Sequence, residues 1–307
     1  MAKSVLLAGA SAIALMLVSA SGVLAADIGH KAMMPVADPG APNIADGFVS
    51  LALGNAWLSE SGDDSDEFDN PNGMTWEGAA SAEYNVTPSI GVQGDVVINR
   101  QDFNSDGDGS EESRSLDLAG HAFYHDDQYL LGAFGQYGST QLGELEDSFF
   151  GPGPVLDRYY GGVEGQAYLG DITIYGQVAR QQWTFFGENG GGWVGNLEGR
   201  YFLTPNLKVE AHVGGQTIDF QDEVDGTTNT VTAGVGAEYK FDDNPFSVFA
   251  KYDFSNSTEG GDNGNLYDNR VLVGLKFNLG TSTLKQRDRS GATLKPVDGS
   301  SLPFFGG

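Results

Sequence analysis

Thirteen residues near the C-terminus, Tyr267 to Leu279 (YDNRVLVGLKFNL), constrain the fold most. Val271, Val273, Leu275, Phe277 and Leu279 share one parity, Arg270, Gly274, Lys276 and Asn278 the other, and Leu272 alone breaks the pattern. Alternate residues of a strand face the same way, so this segment has an oily side and a wet side. The pattern recurs at 48–59, 74–86, 89–102, 114–125, 128–140, 158–169, 172–186, 192–203, 206–220, 228–241 and 245–256. Short connections (Val86-Thr87-Pro88, Asp126-Asp127, Gly170-Asp171, Thr204-Pro205, Asp242 to Asn244) alternate with longer ones at 60–73, 103–113, 141–157, 187–191, 221–227 and 257–266. A two-layer sandwich shares the alternation of side chains, but strictly alternating connection lengths over so many segments favour hairpins closed into a barrel.

The first 26 residues carry Lys3 as their single charge, then an apolar run from Val5 to Val18 and small residues around Ala25-Ala26. That order predicts a secretory signal peptide over 1–26, and the run is short for a membrane-spanning helix. Residues 27–47, with three prolines and no period, are expected as an irregular lead-in. Cysteine is absent, which removes disulfides and thiolate chemistry. A net charge of −26 argues against nucleic acid as a partner.

The closing segment, apolar on alternate residues and aromatic at Phe277, resembles the last strand of Gram-negative outer-membrane β-barrel proteins of the porin-like superfamily. In that family the aromatic usually ends the chain, whereas here 30 residues follow it. The resemblance implies an all-β fold: a closed antiparallel up-and-down transmembrane β-barrel of twelve strands over 48–279, followed by a periplasmic tail at 280–307. It also implies a place in the outer membrane, with long loops outside and both termini in the periplasm. Lipid and lipopolysaccharide are the expected partners, and a homo-oligomer is open.

With the apolar parity outward, ionisable residues fall on the inner face, where an oily core would not tolerate them. The expected pore lining is Glu77, Glu83, Asp95, Asp117 and Glu164 on strands two to six. On strands eight to twelve it is Glu198, Arg200, Lys208, Glu210, Lys240, Lys251 and Arg270. Acids dominate the first half of the wall and nearly all the inward bases lie on the second, which suggests a transverse field. If Leu203 faces Leu207 across its turn, Arg200 lies opposite Glu210. Strands one, five and seven alternate less cleanly, and Arg180 breaks the apolar parity of strand seven.

The six long segments are acidic and contain neither Lys nor Arg. They read first as a solvated surface, with divalent cations shared with lipopolysaccharide as the sharper alternative. Asn104 to Gly109 (NSDGDG) matches the first half of a calcium loop but has Ser115 where the bidentate Glu belongs. No metal or cofactor is therefore expected.

The residues two positions after His121 and His125 are Phe123 and Asp127, not the Ser of outer-membrane phospholipases, and His212 lies almost across the lumen. His121 with Asp117 and Asp126 is the best cluster available, and it reads as wall structure, so an enzyme is not expected. The tail carries Lys285, Arg287, Arg289 and Lys295. It is expected to be disordered in the periplasm, with a plug beneath the acidic half-lumen or a contact with the cell wall as the alternatives. The expected function is passive diffusion of small polar solutes or ions. The alternative is a structural or surface-interaction barrel with a blocked lumen.

Overall fold

The computed structural model describes residues 46–61, 71–104, 110–142, 155–185, 188–220, 227–259, 265–280, 283–290 and 292–298. The expected signal peptide, almost all of the lead-in, the half calcium loop after Asn104 and most of the acidic loop residues lie outside them. Twelve strands are present: β1 (Gly47–Ser61), β2 (Asn72–Thr87), β3 (Ile90–Asn104), β4 (Ser110–His125), β5 (Tyr129–Leu142) and β6 (Val155–Leu169). The second six are β7 (Ile172–Phe185), β8 (Glu188–Thr204), β9 (Leu207–Phe220), β10 (Thr227–Lys240), β11 (Phe246–Glu259) and β12 (Asn265–Leu279). Each pairs antiparallel with its sequence neighbours, and β1 pairs with β12 from Gly47↔Leu279 to Ser61↔Asn265, so the sheet closes without a free edge.

The short turns follow from small polar side chains that bond their own backbone. The Thr87 hydroxyl accepts from the backbone N–H groups of Ser89 and Ile90 at 3.3 and 3.0 Å. Asp126 accepts from Gln128 and Tyr129 at 2.8 and 3.0 Å, and these backbone donors hold its carboxyl below the ordinary carboxylate range. Gly170 turns with a φ of 66°, a left-handed conformation that costs glycine little. All five turns lie at one mouth.

The 187–191 segment is not a long loop. β7 reaches Phe185 and β8 starts at Glu188, leaving two residues between them. Gly190 and Gly191 read as part of a loop because glycine weakens strands, but here the glycines admit close neighbours. A Cβ on Gly190 would collide with the Trp183 indole, and one on Gly192 with the Thr217 carbonyl.

The outer wall carries the apolar parity. Leu51, Leu53, Val163, Leu197, Val213, Val235, Val273 and Leu275 are all more than half exposed. An apolar belt of this extent exceeds what a soluble surface carries and matches the lipid-facing band of a transmembrane barrel. Leu272, the exception in its segment, points inward and is fully buried.

After β12 the chain forms a short helix, α1 (Leu284–Ser290), and then a run without helix or strand over 292–298. This is the main departure from the expected disordered tail, because both pieces pack onto inward-facing side chains. Leu294 sits among Phe123, Leu130, Tyr168 and Tyr175. Val297 sits among Phe134, Tyr160 and Ala179. Apolar residues point inward on β5 and β7 because they seat the tail, which is why those two segments alternate poorly.

Candidate functional site: the lumen and its C-terminal segment

All twelve residues expected to line the pore have inward parity, and the structure gives most of them a partner. Asp95 and Glu164 flank His121, with Asp95 Oδ2 3.0 Å from Nε2 and Glu164 Oε1 2.6 Å from Nδ1. The neighbours of His121 are therefore these two carboxylates and not Asp117 or Asp126. With both ring nitrogens facing carboxylates in a buried site, the imidazole works as a strut of the wall. Asp117 accepts from Gln136 at 3.2 Å and lies 3.4 Å from Arg158, a base in the acidic half that the parity reading omitted. Glu83 is buried at the turn-side mouth, its backbone N–H bonded to Asp46 O at 2.8 Å. Lys240, also buried, lies at the same mouth.

Bases of the second half are neutralised locally. Lys208 contacts Glu210 at 2.7 Å and Glu238 at 3.6 Å, and Lys276 contacts Glu238 at 2.9 Å. Lys251 reaches Glu77 at 2.8 Å because barrel closure brings β11 within three strands of β2. Arg270 contacts Asp253 at 3.3 Å. The expected separation of acids and bases is thus bridged at the seam and within the basic half. Arg200 does lie opposite Glu210, as expected from the turn, although a register shift between Phe202 and Thr204 leaves Leu203 out of the ladder. The two do not pair. Arg200 binds Glu198 at 2.6 Å and Asp288 at 2.8 Å, while Glu210 binds Lys208 and Lys295.

The tail supplies the remaining partners. α1 lies at the turn-side mouth, where the backbone N–H of Lys285 bonds Pro205 O at 3.0 Å and Arg289 donates to Gly170 O at 2.9 Å. Lys285 Nζ lies 2.6 Å from Asp171 and holds that carboxyl below its ordinary range. Arg287 pairs with Glu238 at 3.2 Å and also bonds Asn278. Further on, Lys295 contacts Glu198 at 2.6 Å and Glu210 at 3.2 Å, and Asp298 contacts Arg270 at 2.8 Å. Thr293 and Leu294 meet wall residues a few positions from the turns (Arg200, Gln166, Gln93), whereas Asp298 meets Arg270, nine positions before the end of β12. The segment therefore climbs from the turn side past mid-height.

Beside it remains a chamber of about 280 Å³, walled by the tail from Leu294 to Asp298 and by side chains that include Glu77, Asp117, Lys208, Lys251 and Lys276. Charges of both signs bound this space, together with apolar side chains that include Phe48, Val97, Val194 and Phe249. Among the described residues, no group of three His, Asp or Glu is arranged to hold a metal ion.

An outer membrane channel from Pseudomonas putida F1 superposes on the chain with a TM-score of 0.57 at 14% identity, over 81% of this chain and 100% of that one. The chain has the fold of an outer-membrane β-barrel. The translocator domain of the autotransporter NalP from Neisseria meningitidis also aligns with this barrel, with a TM-score of 0.46 at 14% identity, over 89% and 97% of the two chains. No protein-family model and no curated protein matches the barrel's sequence.

Proposed function

We propose that this barrel is an outer-membrane pore for passive movement of small polar solutes or ions, narrowed by its own C-terminal segment. The observation that carries this reading is the chamber beside residues 294–298, bounded by ionised groups inside a wall whose outer belt is apolar. In this orientation the longer connections face outward and the five turns face the periplasm. The acidic loops would then lie at the level of lipopolysaccharide, where divalent cations bridge carboxylates and phosphates. Catalysis has no part in this reading. Full-length protein in planar bilayers tests it: a small, stable, ohmic step supports a pore.

A second reading draws on the tail itself. A lumen filled by ion-paired chain also suits a structural or surface-interaction barrel, and a correctly inserted protein that passes no current would favour it.

A further inference from the structure

We propose that the lumen wall of β3 to β9 is a binding site for an extended peptide, occupied in this structure by the chain's own residues 292–298. Peptide backbones present one donor and one acceptor per residue, and a glutamine amide offers the complementary pair. Gln93 donates to Leu294 O at 2.8 Å and accepts from Leu294 N at 3.2 Å. Gln136 does the same with Val297, at 2.9 and 2.7 Å. Arg200 donates to Thr293 O at 3.0 Å, and the Tyr175 hydroxyl accepts from the Lys295 backbone N–H at 3.4 Å. Four residues of the segment, 293, 294, 295 and 297, are thus read at the main chain, although among the described residues no strand pairs with it.

Side-chain selection is superimposed on this reading. Leu294 and Val297 enter two separate aromatic-lined pockets, and Lys295 is caught between two carboxylates. Wall groups hold several of the anchors in place. Gln93 also bonds Asp95 at 2.9 Å, Tyr175 also donates to Glu164 at 3.0 Å, and Arg200 is fixed by Glu198. Anchors fixed in advance lose little freedom on binding, so affinity and sequence preference belong to the wall. The ligand class is an extended peptide that enters from the turn-side mouth with the pattern apolar, cationic, proline, apolar, acidic. Ion conduction is a separate property that this proposal neither needs nor tests.

The test uses the whole chain, folded with its tail and then cut. A protease site inserted between Gly280 and Thr283 frees residues 283–307. A second variant with the site at Gly291 frees 292–307, so failure of one insertion to fold leaves the other. After cutting, the fragment is expected to stay with the barrel through gel filtration and to exchange saturably for a fluorescent synthetic peptide of residues 283–300. A peptide carrying Lys295→Glu should compete at least ~10-fold more weakly, since it loses a charged hydrogen-bond partner. Loss of the fragment without saturable peptide uptake would overturn the proposal, as would equal competition by a scrambled peptide.

Discussion

Gln136 on β5 and Val297 in the tail, 161 positions apart, bond each other in both directions, at 2.9 Å from side-chain amide to carbonyl and 2.7 Å from backbone N–H to amide oxygen. A wall residue that satisfies both backbone groups of a tail residue leaves neither for water. The tail is therefore held at mid-lumen by geometry as well as by charge.

Arg200 ties α1 to the wall and is buried beside Glu198 and Asp288. Arg200→Leu leaves Glu198 and Asp288 without the guanidinium between them, and breaking a buried pair from one side costs roughly 3–5 kcal/mol. Asp288→Asn keeps a hydrogen-bonding group and should cost less, about 1–2 kcal/mol. Urea unfolding of the detergent-folded barrel, followed by tryptophan fluorescence, should rank the variants in that order.

The seam between β1 and β12 admits no side chain at Gly54, where a Cβ would collide with the Val271 carbonyl. Gly54→Ala should lower stability by about 1–3 kcal/mol through overpacking. The readout is the temperature at which the compact electrophoretic form is lost, which should fall.

Opposite faces should respond oppositely to charge. Val273 is 60% exposed on the outer belt, so Val273→Arg should weaken insertion by ~2–4 kcal/mol. Thr232 borders the chamber, and Thr232→Arg should insert normally. Equal penalties in a bilayer-folding titration would contradict the assignment of faces.

This two-faced character is what made the fold legible. Most strands meet lipid on one side and polar or ionised groups on the other, so period two appears in residues such as Val271, Val273 and Leu275 without any knowledge of their neighbours. The position of Arg200 opposite Glu210 followed from turn geometry alone. Their actual partners did not, because Asp288 and Lys295 reach the wall through non-local packing that leaves no periodic trace. Gly190 and Gly191 looked like a loop because the tight neighbour of Gly190, Trp183, comes from another strand. Some signals of the docked tail were present: inward apolar residues on β5 and β7, and inward glutamines at 93, 136 and 166, an amide side chain suited to reading backbone.

Asp171 and Lys285 form the outermost tether of α1 at the turn-side mouth. Lysine holds the Asp171 pKa below its ordinary value, so the tether is complete above the unfolded aspartate range and is lost as pH falls through the folded pKa. The ratio of Lys285 labelling in the parent to that in Asp171→Asn, taken at the same pH with an amine-reactive reagent, should therefore stay constant between about pH 8 and pH 5, where unperturbed aspartate remains ionised. Asp171→Asn should raise its labelling across that whole range.

Single-channel recording of the full chain beside a chain lacking residues 281–307 tests the central claim most directly, that the C-terminal segment occupies the conduit of a transmembrane barrel. The full chain should give a small ohmic step and the shortened chain a step several-fold larger. The same conductance from both, each shown to be inserted and folded, would contradict the account.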